Sequence, residues 1–217
     1  EMNRQLTGRI AELHFAPTRR ARENLARENV TENVYVVGNT VIDALHQMVH
    51  DAYRFHSPEL AALDLSQGRW IVMTAHRREN LGEHLEAICR GVLRLVAEHP
   101  DVHLVYPVHP NPAVRSVAEG VLGGHDRVHL IQPVEVEDMH NLMKRCYMVM
   151  TDSGGLQEEA PALGKPVVVL RTETERPEVV EAGMALLAGV EEQHVYEAGE
   201  RLLTDAQLYH AMAHAIN

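Results

Sequence analysis

The sequence predicts an α/β protein in which helices cover both faces of a parallel sheet. Short runs rich in Val, Leu, Ile and Met recur from residue 69 onward. These runs are apolar throughout rather than alternating, which is typical of parallel strands that are buried on both faces. Helical segments separate most of the runs, and right-handed crossovers between such strands produce a doubly wound parallel sheet.

The predicted elements follow one another in a regular order. Strands are expected at Trp70–Met73, Val102–Tyr106, Val128–Ile131, Tyr147–Met150, Val167–Leu170 and Ala185–Leu187. Helices are expected at Glu83–Glu98, Pro112–Val121, Glu137–Arg145, Leu156–Leu163, Arg176–Ala182, Glu191–Leu203 and Asp205–Ile216. Ligands of doubly wound sheets bind outside the carboxyl ends of the strands. The residues that follow each strand are therefore the candidates for a functional site.

The beginning of the chain differs from this regular part. Residues 1–37 hold a helical pattern around Leu6 and Ile10 and a few short extended segments, too little apolar surface for an independent core. We therefore expect residues 1–37 to be the tail of a preceding, truncated domain and residues 38–217 to form a second domain. The chain starts at Glu1 rather than at Met, which favours a fragment or a processed product.

Composition excludes several classes of function. The 217 residues carry a formal net charge of -11, which argues against nucleic acid or an anionic membrane as a partner. Cys89 and Cys146 form no spaced motif and are typical of reduced core residues in a cytosolic protein. No apolar run is long enough to span a bilayer, and no secretory leader is recognisable. A cytoplasmic protein is the expectation.

The stretch from Thr151 to Pro161 is the most informative turn, because it joins a predicted strand to a predicted helix. Ser153 is a natural N-cap, and Gly154 and Gly155 allow another group to approach the backbone closely. Free N–H groups at a helix start favour an anion such as phosphate. A capped packing turn with no ligand explains these residues equally well.

Cationic and imidazole side chains follow the first two strands. His76 and Arg77 come directly after the first strand, where Arg can bind phosphate oxygens and His can protonate a leaving phosphate. A solvated charged loop is the alternative. His109 stands in a proline-rich loop after the second strand, where a rigid turn with an incidental His is nearly as good an explanation.

The remaining strand ends add weaker signals. The loop and helix start around Val134 and Met139 could hold a flat ring against one apolar side chain. Glu159 lies in the first turn of a helix, where an acidic residue suits the helix dipole but could also accept the hydroxyls of a ribose. Arg176 brings further positive charge to the same edge. Together these residues indicate a nucleotide or nucleotide-sugar diphosphate site.

Other cofactor classes find no support in the sequence. The histidines show no metal-ligand spacing, so no metal is expected. No Gly-x-Gly-x-x-Gly follows a strand and no Gly-x-x-x-x-Gly-Lys-Ser/Thr is present, which argues against NAD and against a P-loop.

Four long motifs resemble those of one bacterial enzyme family, the non-hydrolysing UDP-N-acetylglucosamine 2-epimerases. The motifs are Thr74–Asn80, Tyr106–Asn111, Thr151–Pro161 and Thr174–Glu178, and shorter matches extend the resemblance over nearly the whole chain. The resemblance implies the C-terminal half of a two-domain, Rossmann-like fold of the glycosyltransferase-B type. It implies reversible conversion of UDP-GlcNAc to UDP-ManNAc by elimination and re-addition of UDP, for cell-envelope polysaccharide synthesis. It also implies a homodimer at full length and no metal or redox cofactor.

The resemblance also implies roles for individual residues. Ser153, Gly154 and Gly155 would hold the diphosphate of UDP, and Glu159 would bind the ribose. His76, as the catalytic residue, and Arg176 would contact phosphate.

Two further pairs of residues take implied roles from the same resemblance. The uracil would lie near Val134 and Met139, where some members have Gln and Phe, so backbone contacts are the alternative means of reading it. Arg77 and His109 match positions that help to bind a second, activating UDP-GlcNAc in Gram-positive-type members.

The family's proton-shuttling carboxylates belong to an N-terminal domain that ends about where this chain begins. We therefore expect the 217-residue chain to bind UDP and to be inactive as an epimerase by itself. A hydrolysing 2-epimerase, a glycosyltransferase of the same fold and a non-catalytic nucleotide-sugar-binding module are the alternatives. The products separate them, because hydrolysis releases free N-acetylmannosamine and transfer gives a glycosylated acceptor.

Overall fold

The structure, a computed structural model, describes residues 2–215. The chain divides into two units, Glu1–Gln47 and Met48–Asn217. The predicted boundary between residues 37 and 38 falls inside the first unit, and the interpretation of residues 1–37 as the tail of a preceding domain stays a prediction. No helix in the described part of the chain is both long enough and apolar enough to cross a bilayer.

The first unit is a small α/β arrangement with a two-stranded parallel sheet. Phe15 and Tyr35 lie opposite each other in its register and are both exposed. The strands are β1 (His14–Ala16) and β2 (Val34–Val36), and the helices are α1 (Met2–Ile10), α2 (Arg19–Arg27) and α3 (Thr40–Met48), the last of which ends at the first residue of the second unit.

The second unit contains a six-stranded sheet in which every pairing is parallel. Its strands are β3 (Arg69–Thr74), β4 (Val102–Pro107), β5 (Val128–Ile131), β6 (Met148–Thr151), β7 (Val167–Val169) and β8 (Ala185–Leu187). The order across the sheet is β5-β4-β3-β6-β7-β8. The chain thus builds outward from β3 in one direction, returns to the centre at β6 and builds outward in the other. This order confirms the predicted doubly wound sheet and places its topological switch point between β3 and β6.

Helices cover both faces of this sheet. They are α4 (Pro58–Ala61), α5 (Glu83–Glu98), α6 (Pro112–Leu122), α7 (Val136–Arg145), α8 (Leu156–Ala162), α9 (Pro177–Glu181), α10 (Glu192–Thr204) and α11 (Ala206–Ala213). Side chains of α5, α6, α10 and α11 join one buried apolar cluster, and those of α4, α7, α8 and α9 join the other. Alternate residues of β3 divide between the clusters, because Ile71 belongs to the first and Val72 to the second.

The predicted strands and helices of this unit are found with small changes at their ends. Arg176 precedes α9 as its cap residue instead of lying inside the helix. The last predicted helix ends at Ala213, and its predicted final residue, Ile216, lies outside the described residues.

Candidate functional site at the switch point of the sheet

The site is organised by the pairing of the two central strands. Thr74 and Thr151 end β3 and β6, lie opposite each other in the register and share a hydrogen bond of 2.6 Å between their hydroxyls. Both are buried. The loops that follow them therefore begin side by side, and they carry residues 75–82 and 152–155.

Asp152 ties these two loops together. Its side chain is fully buried, and its Oδ2 accepts hydrogen bonds from the backbone N–H groups of His76 and Arg77, each at 2.8 Å. The side-chain amide of Asn80 donates a third hydrogen bond to the same oxygen at 3.1 Å and another to the carbonyl of Leu170. Three donors on one buried carboxylate oxygen fix the backbone of the His76 loop against β6.

The imidazole of His76 lies between this carboxylate and a second histidine. Its Nδ1 is 3.8 Å from Oδ1 of Asp152. On its other side the ring stacks with that of His109, with centroids 5.1 Å apart and planes 6° from parallel. The Nδ1 of His109 accepts the backbone N–H of Asn111 at 3.1 Å, which orients its ring. The structure thus brings together two histidines that the sequence placed on separate strand ends.

Arg77 belongs to a chain of ion pairs at the rim of the site. Its Nη2 bonds Oε1 of Glu175 at 2.7 Å, and Arg171 pairs with the other oxygen of Glu175. Arg171 also contacts Glu79 at 3.1 Å. Burial raises the pKa of Glu175, but hydrogen bonds from its own backbone and from Arg171, with the charges of Arg171 and Arg77, outweigh burial and hold that pKa below its usual value. Glu175 is therefore an anion at neutral pH.

The Ser-Gly-Gly turn differs from the prediction in one respect. Ser153 is not the N-cap, because α8 begins at Leu156 and Gly155 is its cap residue, with no side-chain cap bond. The backbone N–H of Ser153 instead bonds the hydroxyl of Thr151 at 2.9 Å. Among the hydrogen bonds of residues 2–215, none is donated by the N–H of Gly154 or Gly155. These two donors are available to an anion.

The carboxylate of Glu159 contacts a buried histidine. His140 is buried on α7, and its Nε2 lies 3.1 Å from Oε2 of Glu159. The Nδ1 of His140 is also buried and finds no hydrogen-bond partner among the described residues. The other oxygen of Glu159 lies 3.4 Å from the position that a Cβ on Gly155 would occupy. The carboxylate therefore lies beside the Ser-Gly-Gly turn with one oxygen already oriented.

The remaining predicted residues already have contacts within the chain. Arg176 forms an ion pair with Glu158, so its charge is already partnered within the chain. Val134 and Met139 are half-buried and pack against the apolar cluster of α4, α7, α8 and α9. Within residues 2–215, no three His, Cys, Asp or Glu side chains converge in the way that a metal site would require.

Sequence reasoning passed over three residues that shape the site. Asp152 and Glu175 stand inside the recognised motifs but were given no role, and His140, beside the candidate residue Met139, was given none either. A signal existed for Asp152, since an acidic residue directly after an apolar strand must be paired if it is buried. Nothing in the spacing of His140 and Glu159 along the chain predicts their contact.

The fold and the site define a class: a doubly wound α/β protein with imidazole, guanidinium and free backbone donors gathered at its switch point, suited to bind a phosphorylated ligand. Comparison with known proteins makes the class specific. The family model described as UDP-N-acetylglucosamine 2-epimerase matches residues 1–217, and the chain belongs to this family.

Individual relatives agree with the family match. A Thermotoga maritima relative is 58% identical over 217 residues, and the Bacillus subtilis UDP-N-acetylglucosamine 2-epimerase is 51% identical over 219. The structure of S. aureus MnaA with UDP matches all of this chain with a TM-score of 0.92 at 50% identity. The chain covers 57%, 56% and 59% of these three proteins, so it spans little more than half of their length.

Proposed function

We propose that this chain is the UDP-binding portion of a non-hydrolysing UDP-N-acetylglucosamine 2-epimerase. The whole enzyme would interconvert UDP-GlcNAc and UDP-ManNAc in a glycosyltransferase-B arrangement of two Rossmann-like domains. The observation that carries the proposal is the match of the family model over residues 1–217, together with His76 and two free backbone N–H groups at the switch point. The S. aureus relative solved with UDP supports the choice of nucleotide.

The diphosphate of UDP would lie against the Ser-Gly-Gly turn. The N–H groups of Gly154 and Gly155 have no partner in the described part of the chain, and the positive end of the α8 dipole adds to their attraction for phosphate. Ser153 would add its hydroxyl. Arg176 forms an ion pair with Glu158 in the structure. To contact phosphate, Arg176 would therefore have to exchange Glu158 for the ligand.

The nucleoside would extend from the turn toward α7 and α8. Glu159 would accept the ribose hydroxyls, and its contact with His140 supports this role by orienting the carboxylate. Val134 and Met139 offer half-buried apolar surface for one face of the uracil. Because neither side chain can read the base by hydrogen bonds, backbone groups nearby would supply that selectivity.

His76 is the chain's own candidate for the chemical step. In the proposed reaction a base removes the proton from C2 of the sugar, the C1–O bond breaks, and UDP leaves with the electron pair to give a bound 2-acetamidoglucal. His76 would protonate or hydrogen-bond the departing phosphate oxygen, which is general-acid assistance to the leaving group. Return of UDP to C1 and of a proton to the opposite face of C2 completes the epimerisation without net redox change.

Arg77 and His109 would bind a second, activating UDP-GlcNAc. The stacking of His109 on His76 supports contact between that ligand and the catalytic imidazole. The full-length enzyme would be a homodimer with no nucleic-acid partner, and the net charge of -11 supports the latter point.

Calorimetric titration with UDP tests the proposal directly. The 217-residue chain should bind one UDP, and His76→Ala should weaken that binding about tenfold by removing a charge-assisted hydrogen bond. His125→Ala is the matched control, because His125 precedes β5 at the amino-terminal edge of the sheet and should leave the affinity unchanged. Equal loss of affinity in both variants, or no UDP binding by the unaltered chain, would exclude the site.

Product analysis tests the reaction class. We expect the 217-residue chain alone to bind UDP without turning over UDP-GlcNAc, because the family resemblance assigns the groups that act on C2 to a preceding domain. Proton NMR of the anomeric region distinguishes UDP-ManNAc from free N-acetylmannosamine. UDP-ManNAc formed by the chain alone would refute the expected inactivity, and free sugar would point to a hydrolysing enzyme instead.

A further inference from the structure

We propose that Asp152 is a positioning residue for His76, whose imidazole it holds in the tautomer with the proton on Nδ1. The Nε2 atom is then the nitrogen left to exchange a proton with a bound ligand. The tautomer follows from the geometry of this chain alone, whereas its use in releasing UDP rests on the function proposed above.

The two oxygens of Asp152 are used in different ways. Oδ2 accepts from the N–H groups of His76 and Arg77 and from the amide of Asn80. Oδ1 is equally buried but accepts no hydrogen bond from any described residue. The Nδ1 of His76 lies 3.8 Å from this oxygen, within ion-pair range and outside hydrogen-bond range. The one unsatisfied oxygen of a fully buried carboxylate thus faces the imidazole of the candidate catalytic residue.

An ionised carboxylate can only accept hydrogen bonds, so Nδ1 is attracted to Oδ1 when it carries a proton and repelled when it presents a lone pair. A buried carboxylate oxygen without a partner is costly, and an Nδ1–H of His76 reduces that cost. Because the backbone of His76 is tied to the same carboxylate, the ring and its partner are fixed together. Both effects favour one tautomer over the other.

A second buried aspartate shows that fixing a loop does not require a free oxygen. Asp138 also accepts from two successive backbone N–H groups, but that of His56 bonds its Oδ1 and that of Ser57 bonds its Oδ2. Both of its oxygens are therefore satisfied, and the hydroxyl of Tyr53 donates a further hydrogen bond to Oδ1. His56 also approaches Asp138, but its Nδ1 already contacts that hydroxyl at 3.1 Å. Of these two buried aspartates, Asp152 is the one with a carboxylate oxygen that has no hydrogen-bond partner among the described residues.

The tautomer can be measured by ¹⁵N NMR of the imidazole in the full 217-residue chain at about pH 8, where an ordinary histidine is neutral. The signals of His76 are assigned by their disappearance in H76Q. The unaltered protein should show His76 mainly protonated at Nδ1. In D152N the amide oxygen replaces Oδ2 and the amide nitrogen faces Nδ1 as a donor, so the major tautomer should invert to Nε2–H.

D138N is the matched control, since it removes an equally buried carboxylate from a similar loop and should leave the tautomer of His76 unchanged. An Nε2–H majority in the unaltered protein would overturn the proposal even if D152N does not fold. A folded D152N with the tautomer of the unaltered protein would overturn it too. A parallel UDP titration of the unaltered chain keeps the two proposals separate. Absence of UDP binding would refute the proposed function and would leave the tautomer result unaffected.

Discussion

The carboxylate of Glu175 lies against Gly154, at the centre of the predicted diphosphate site. A Cβ added to Gly154 would stand only 2.8 Å from Oε1 of Glu175. The same carboxylate pairs with Arg77 and Arg171, so the positive charge at the rim of the site is balanced within the chain. A diphosphate that entered beside Gly154 would have to compete with this carboxylate for space and for the two guanidinium groups.

Replacing Glu175 by Gln should therefore strengthen UDP binding. The pairs of Glu175 are partly exposed, and such pairs contribute little, so we expect an increase in affinity of about fivefold. Calorimetry at constant ionic strength measures it. Glu173→Gln is the control, because Glu173 is exposed on the same loop and forms no ion pair with another described residue. An equal gain in both variants would mean that only net charge matters and that Glu175 does not compete with the ligand.

At the scale of single residues, the sequence predicted which strand ends carry polar groups but not how those groups pair. His76 and His109 were both candidates, and their ring stacking could not be read from loops on two different strands. Ser153 was expected to cap a helix, yet its N–H turns back to Thr151. The stacking of His76 on His109 depends on the pairing of β3 with β4, which no local pattern in the chain encodes.

Among the helices, α5 and α10 pack closely because glycine stands at their contact. A Cβ on Gly91 of α5 would lie 2.7 Å from the backbone carbonyl oxygen of Glu192 and 3.1 Å from the Cβ of Val195. Backbone atoms cannot move aside as a flexible side chain can. The close approach of α5 and α10 therefore depends on the absence of a side chain at residue 91.

Gly91→Ala should destabilise the protein by about 1–3 kcal/mol, the usual cost of overpacking. Gly120→Ala is the matched control in α6, where a Cβ would meet nothing within 4 Å. There the higher helix propensity of Ala should stabilise by up to ~1 kcal/mol. Urea unfolding, fitted with one m-value shared by the unaltered protein and both variants, measures the two changes in the free energy of unfolding. A Gly91→Ala variant more stable than the unaltered protein would contradict the close packing of α5 on α10.

The elements themselves were largely predictable from sequence. The run Val128–Ile131 was expected as a strand and is β5, and Glu83–Glu98 was expected as a helix and is α5. Continuous apolar runs and helical spacing encode such elements locally. Helix ends were less well predicted, as at Arg176, because capping is decided by contacts within one turn.

At the scale of the whole molecule, we expect two histidines to make folding stability depend on pH. Trp70, His103 and His129 stand side by side on β3, β4 and β5, and the ring of Trp70 stacks on that of His103 with centroids 4.5 Å apart. Burial lowers the pKa of both histidines below the usual 6.5. Arg127 lowers the pKa of His103 further, while Asp101 opposes it.

The free energy of unfolding should therefore fall as the pH drops below 6.5. In that range the unfolded chain binds protons at both histidines while the folded protein still resists them, so acid favours unfolding. Well above pH 6.5 both states are neutral at these positions and the effect vanishes. Thermal unfolding at a series of pH values, kept above the range in which carboxylates titrate, measures the slope.

The double variant His103→Gln with His129→Gln provides the comparison for this slope. It should flatten the pH dependence, because neither side chain then titrates. His125→Gln should leave the slope unchanged, since His125 lies outside the stack of Trp70, His103 and His129. A slope that persists in the double variant would show that other groups cause the pH dependence.

The contacts of Asp152 also determine when during folding the site can exist. The carboxylate joins residues 76 positions apart in the chain, and that of Asp138 joins residues 82 apart. Contacts between such distant residues carry a large loop-closure entropy, and chains dominated by them fold slowly. The Asp152 contact joins the loops that follow β3 and β6 and needs these strands to be paired, so partly folded intermediates without that pairing lack the arrangement of His76 and the Ser-Gly-Gly turn. The ability to bind the nucleotide should consequently emerge in the final kinetic phase of refolding.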